Sequence, residues 1–241
     1  MIYQVFHQPH LLASCDTTST KNRPIGVGAA VGFCQEQHRL HDALGPDHIS
    51  PLNPKLNEWT AIYWLWKNLA NLDDPDGWIG LSHYRRPAPA FARCSEVAVV
   101  EAMLCHDDVI AWIPNISSLA QQAAKDHPGL VHTILAAISR CYGRAACDEA
   151  QQCVNQHLVH PFSNCFIMKK DRFEHYAGWC WKILALLIDV DRQNNPGAVP
   201  YELSKPRHLG FLAERLLPVY CLVQQLKVLY VLNGTDRLAV H

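Results

Sequence analysis

Gly77-Trp78-Ile79-Gly80-Leu81-Ser82-His83-Tyr84-Arg85-Arg86 is the stretch on which the reading of this chain turns. Trp78 to Leu81 is a short apolar run, the pattern of a buried strand, and it stops abruptly at a histidine, a tyrosine and two guanidiniums. Adjacent guanidiniums repel each other and are costly to bury unpaired. Some anion is therefore expected beside Arg85 and Arg86, either a carboxylate of the protein or a phosphate of a ligand. Ligands of open α/β sheets gather at the carboxyl ends of strands, and the guanidinium fork matches phosphate oxygens two at a time. The competing reading is a surface turn with a structural ion pair to Asp107 or Asp108.

Outward from this junction, Ile2 to Phe6, Val109 to Ile113, Cys165 to Met168 and Val228 to Leu232 read as further strands. Helices are expected over Leu56 to Ala70, Glu96 to Leu104, most of Ser117 to Cys153, the segment after Asp171, and about Leu209 to Gln224. The segment after Asp171 carries an inward stripe of Phe173, Tyr176, Cys180, Ile183 and Leu187. Strands alternating with helices imply an α/β fold with a largely parallel sheet. Ser14 to Arg23 reads as a polar loop. Ile25 to Gly32 is glycine-rich but lacks the G-x-G-x-x-G frame of a dinucleotide cradle.

Composition narrows the function. With 21 Lys+Arg against 22 Asp+Glu in 241 residues, there is no basic excess for generic nucleic-acid binding, so phosphate recognition must be local. The N-terminus lacks the pattern of a secretory signal, and the most apolar segment, Ile183 to Ile188, is too short to span a bilayer. A soluble chain is expected. Ten cysteines suggest disulfides or zinc, but no CxxC pair exists. Cys34, Cys105, Cys165, Cys180 and Cys221 sit among apolar neighbours, where a free thiol acts as a small hydrophobe. Reduced cytosolic thiols are the expectation. His157 and His160 are three apart, but Pro161 follows at once and a helix end or loop fits better than a metal site.

Two more constellations stand out. Asn57-Glu58-Trp59-Thr60, with Tyr63, Trp64 and Lys67, lies on a helix apolar over most of its circumference, so Glu58 and Lys67 would need partners if buried. Arg207-His208-Leu209-Gly210-Phe211-Leu212-Ala213-Glu214-Arg215 places Glu214 among apolar residues at the start of a late helix. That setting suits a general base, or a simple ion pair with Arg207 or Arg215.

Read together, five segments resemble a bacterial family catalogued as a domain of unknown function, number 4422, found in capsule and O-antigen loci and considered glycosyltransferase-like. They are Asp47 to Ser50, Asn57 to Asn68, Ile79 to Arg86, Asn164 to Lys170 and Gly210 to Leu217, in the family's order and spanning nearly the whole chain. Two departures are that Asn57 and Trp59 stand where the family usually has Cys and Leu. A third is that Pro87-Ala88-Pro89-Ala90 follows the Arg pair where an aromatic is common.

The resemblance implies a single-domain A-type glycosyltransferase fold, Rossmann-like, with a mostly parallel central sheet flanked by helices. Residues 1–115 would form the nucleotide-sugar half and 116–241 the helical, acceptor and catalytic half. It implies sugar transfer from a nucleotide donor, a UDP-sugar with UDP-galactofuranose as the leading candidate, to a saccharide or lipid-linked saccharide acceptor. Such folds usually end a central strand in a metal-binding Asp-x-Asp. Here His83-Tyr84-Arg85-Arg86 stands there, so Arg85 and Arg86 would neutralise the diphosphate and Glu214 would be the base. His83, Tyr84, Asp47, Glu58, Thr60, Lys67, Asn164, Arg207 and Arg215 are the expected substrate contacts. No cofactor or metal site is expected, although manganese or magnesium stays open. A cytoplasmic location is expected, with room for peripheral contact at the inner face of the membrane. A non-catalytic nucleotide- or carbohydrate-binding module and a structural partner in a polysaccharide assembly complex are the alternatives.

Overall fold

The computed structural model describes residues 1–15, 21–72, 77–84, 104–113, 129–155, 164–194, 208–232 and 238–240. The expected helix over Glu96 to Leu104 lies, apart from Leu104, outside the described residues, as do His157, His160 and Pro161.

Seven strands form one sheet: β1 (Ile2–Phe6), β2 (Asn22–Gly26), β3 (Trp78–His83), β4 (Val109–Ile113), β5 (Phe166–Lys169), β6 (Val228–Leu232) and β7 (Leu238–Val240). Their spatial order is β2-β1-β3-β5-β4-β6-β7. β1 is parallel to both β2 and β3, and β4 is parallel to β6. β5 is antiparallel to β3 and β4, and β7 to β6. Five strands therefore point one way, with β5 reversed in the middle. The largely parallel reading holds, with β5 and the edge strand β7 reversed, and apolar runs alone could not orient β5.

β2 begins at the end of the loop read from Ser14 to Arg23 and runs into the glycine-rich stretch, and β7 follows the last expected strand. β2 is an edge strand containing Pro24, and proline is tolerated there because the edge needs no second set of N–H donors. Gly80 lies mid-sheet. A Cβ there would sit 3.0 Å from both Ile2 and Ile167 and 3.2 Å from the Phe166 carbonyl, so the close approach of β1, β3 and β5 requires glycine.

The helices are α1 (Ala30–Glu36), α2 (Asn53–Leu56), α3 (Trp59–Lys67), α4 (Leu130–Tyr142), α5 (Arg144–Asn155), α6 (Lys170–Asn194), α7 (His208–Glu214) and α8 (Leu216–Val223). The expected stripe on α6 is buried from Phe173 to Leu187 and joins the main core with Tyr3, Val5, Leu81, Phe166 and Trp59. Phe6, Cys15, Ala30 and Cys34 form a smaller cluster, which brings α1 against β1. Cys34, Cys165, Cys180 and Cys221 are buried as free thiols, whereas Cys105 is exposed, contrary to its apolar sequence neighbours.

Two single-helix expectations are corrected. The helix expected over Leu56 to Ala70 is Trp59–Lys67, separated from α2, which ends at Leu56, by Asn57, whose backbone is left-handed at φ 52°. Leu209 to Gln224 is broken at Arg215. Pro218 has no N–H for the carbonyl of Glu214, so the ladder cannot run through.

Candidate functional site

The chain leaves β1 for β2 on one side and reaches β3 on the other, so the boundary between β1 and β3 is a topological switch point, where open α/β sheets bind ligands. A pocket of about 70 Å³ opens there, lined by Val5, His7, Val27, Asn53, Pro54, Asn57, Glu58 and His83. Strand pairing runs up to its rim: the Val27 amide donates to Phe6 O at 2.9 Å and the Tyr84 amide to Val5 O at 3.0 Å.

The pocket has an ionisable wall. His83 Nε2 lies 3.1 Å from Glu58 Oε1, with both side chains mostly buried. The Tyr84 ring packs against His83 at 4.3 Å and His7 at 5.2 Å between centroids. Two imidazoles, a phenol and a carboxylate thus meet where β1 and β3 end.

A hydrogen-bonded bracket holds the other wall. Asn53 Nδ2 donates to Asn57 O at 2.9 Å and to Thr60 Oγ1 at 3.1 Å, and Thr60 Oγ1 donates to Asn57 O at 3.1 Å. These bonds satisfy the carbonyl exposed by the helix break and fix the left-handed turn that presents Asn57 and Glu58. Gly28, itself left-handed at φ 55°, makes room for Asn53, because a Cβ there would fall on Asn53 Oδ1. Behind the bracket, Asp42 is fully buried and accepts a hydrogen bond from Ser50 Oγ at 2.7 Å. Burial pushes its carboxyl above the usual aspartate range, against the opposing pull of the Ser50 hydrogen bond and the charge of His48.

α7 docks on the same corner. A Cβ at Gly210 would fall on the Asn57 carboxamide, and Trp59 Nε1 donates to Ala213 O at 3.3 Å. Glu214 lies one turn after Gly210 on the same face of the helix. It is the last residue of α7, with α8 starting at Leu216, rather than an early residue of one long helix.

The expected site residues divide accordingly. Glu58 and His83 line the pocket, Tyr84 packs on its rim, and Thr60 is buried behind it. Asn164 is buried just before β5. Asp47 is exposed, with its charge felt at Tyr63, and the carboxylate buried beside the bracket is Asp42 instead. Lys67 is exposed at the far end of α3, its ammonium 3.9 Å from the Trp66 ring, so the burial considered for it does not occur. Arg215 is buried and donates from Nη1 to Phe211 O. Arg85, Arg86 and Arg207 lie outside the described residues. Asp108 accepts from Arg172 at 3.2 Å and from the Lys227 amide at 3.0 Å. It precedes β4, at the sheet edge opposite Tyr84.

His7, Asn53, Asn57 and Asp42 were not among the expected contacts. His7 had a usable signal, being the first residue past a strand at its carboxyl end. Among the described residues no three His, Cys, Asp or Glu side chains converge as a metal site would require. Among them, too, no helix is long and apolar enough to cross a membrane.

The model of a family described as a domain of unknown function, DUF4422, matches residues 1–225. The chain belongs to that family. No match was found among curated proteins. Among solved structures, the chain is similar to the apo structure of WbbM, a bifunctional glycosyltransferase, with a TM-score of 0.67 and 22% identity. The match covers 97% of this chain and 45% of that one, so this DUF4422 chain spans less than half of its neighbour's length. The likeness is one of fold: a Rossmann-like α/β domain with a mostly parallel sheet flanked by helices.

Proposed function

We propose that this chain is a glycosyltransferase in surface-polysaccharide synthesis, of the capsule or O-antigen kind. It would take its sugar from a UDP-sugar, UDP-galactofuranose being the leading candidate, and pass it to a saccharide or lipid-linked saccharide. The observation that carries this reading is the polar, aromatic-walled pocket at the switch point of β1 and β3. The likeness to a bifunctional glycosyltransferase supports it.

In this reading the nucleoside sits against Val5, Val27 and the Asn53–Glu58 wall, and residues 1–115 form the donor half. The diphosphate lies toward the end of β3, where Arg85 and Arg86 follow Tyr84 in sequence and His83 adds a third cationic group when protonated. Glu214 takes the proton of the acceptor hydroxyl as that oxygen attacks the anomeric carbon. The bond from that carbon to the diphosphate breaks, and its electron pair leaves on the diphosphate oxygen. Fixed positive charge aimed at the departing oxygen stabilises the transition state. Transfer takes place at the cytoplasmic face of the membrane.

The test is transfer or donor hydrolysis over a panel of UDP-sugars. Glu214→Gln is expected to lower turnover roughly 10²- to 10⁴-fold while leaving UDP binding intact. Near-normal turnover in a folded variant sinks the base assignment. Activity is expected to survive EDTA; full loss with rescue by manganese overturns the role given to the arginines. A binding module would instead be stabilised by UDP without any turnover.

A further inference from the structure

Asn164 is buried, 1% exposed, and among the described residues neither its Oδ1 nor its Nδ2 has a hydrogen-bond partner. Among the described residues it is the only side chain with two buried polar atoms in that state. Its backbone is also left-handed, at φ 48°. Buried polar groups are nearly always paired, and strain of this kind concentrates at ligand sites. Among the described residues, then, nothing satisfies this buried carboxamide, and the backbone that carries it has a positive φ.

Its place on the sheet narrows what it is for. β5 runs against β3 and β4, so the residue just before it lies at their carboxyl edge. Leu81 is paired with Phe166, and carrying that antiparallel register two residues further brings Asn164 level with His83. Neighbouring strands are about 4.8 Å apart. Along the edge the order is Val27 after β2, Val5 on β1 with His7 just after it, His83 on β3, then Asn164 before β5.

A nucleotide sugar is itself a linear sequence of nucleoside, diphosphate and sugar. Resting on the reading above, with the nucleoside over β2 and β1 and the diphosphate at β3, the next strand meets the next group. We propose that Asn164 reads the hydroxyls of the transferred sugar. Its Oδ1 accepts from one ring hydroxyl and its Nδ2 donates to the oxygen of a neighbouring one. A vicinal diol satisfies both atoms, whereas an ionised phosphate offers only acceptors and leaves Oδ1 bare. A nucleobase imide would also satisfy both, but it belongs two strands away. The carboxamide is closed to solvent, so the sugar reaches it as the edge opens locally. A mismatched hydroxyl then meets an unpaired group in a dry site, where discrimination is strongest.

The experiment compares UDP with UDP-galactofuranose, UDP-galactopyranose and UDP-glucose on the full chain. Asn164→Gly tolerates the left-handed backbone and removes the carboxamide; Asn164→Asp keeps the shape and removes the donor. Both variants are expected to bind UDP as the wild type does. The extra affinity conferred by the sugar is expected to fall roughly tenfold or more, and kcat/KM roughly 10- to 100-fold. Equal loss of UDP and UDP-sugar binding, or no change in either, overturns the assignment. If the wild-type chain binds neither UDP nor its sugars, the nucleotide-sugar reading fails first and this one with it. Wild-type binding with unaltered variants refutes the role of Asn164 alone. Should Asn164→Gly fail to fold, the Asn164→Asp comparison of UDP with UDP-sugar decides.

Discussion

The two ends of the Asn57–Lys67 segment share one apolar pattern and have opposite fates. At its start, the left-handed Asn57 turns the chain so that Glu58 meets His83 in the pocket and Thr60 bonds back to Asn57 and Asn53. At its end, Lys67 lies exposed over Trp66, and Tyr63 packs on Trp66 and Trp181. Both ends carry charge on an aromatic-rich helix. What separates them is whether a sheet edge lies opposite: the first end faces the carboxyl ends of β1 and β3, and the second faces solvent. Charge becomes a candidate for chemistry where the fold desolvates it against a chosen partner.

The largest effect is expected from cutting the bracket. Thr60→Val leaves Asn53 Nδ2 and the Asn57 carbonyl each short of a partner and is expected to cost about 1–3 kcal/mol. Chemical denaturation measures it, and a loss no larger than that of an exposed substitution would mean the bracket does not hold the turn. Breaking the ionic wall comes next. Glu58→Ala is expected to weaken UDP binding about tenfold, the scale of one charge-assisted contact. Unchanged binding by calorimetry would remove the pocket end of the segment from the site.

A pH test reaches the same corner from behind. Asp42 has its folded pKa raised by burial, so its protonated form is the one the fold favours. Its contribution is fully present below the ordinary value of 3.8 and is lost as pH climbs through the raised folded value. Asp42→Asn is therefore expected to gain stability relative to the wild type as pH rises from acid to neutral. Melting temperatures across that range check it, and a difference flat with pH contradicts it. The smallest effect belongs to the exposed end. Lys67→Ala removes a surface cation–π contact, costs about 0.5–1 kcal/mol at most, and is expected to leave turnover unchanged. A substantial loss of turnover would erase the contrast between the two ends.

The comparison also locates the limit of legibility. Glu58 and His83 are far apart in sequence, yet both were readable as candidates, one beside an aromatic run and the other at a strand end. Their contact was not readable, because it depends on the tertiary fold bringing the residue before α3 to the end of β3. Asp47 stands in the matching segment and Asp42 does not, yet it is Asp42, five residues earlier, that the fold buries beside the bracket.

By itself the sequence determined the family, the apolar strands β1, β3, β4, β5 and β6, the inward stripe of α6 and the strand end at His83. Those follow from local hydrophobic period and from strings specific enough to be recognised. Only the tertiary structure decided the reversed direction of β5, the edge strand at Asn22–Gly26, the turn at Asn57 and the unpartnered amide of Asn164. Strand direction depends on which neighbours pair. The spacing of Leu56 and Trp59 suits one continuous helix as well as two, and an asparagine's side chain is bare or satisfied only by what the fold brings to it.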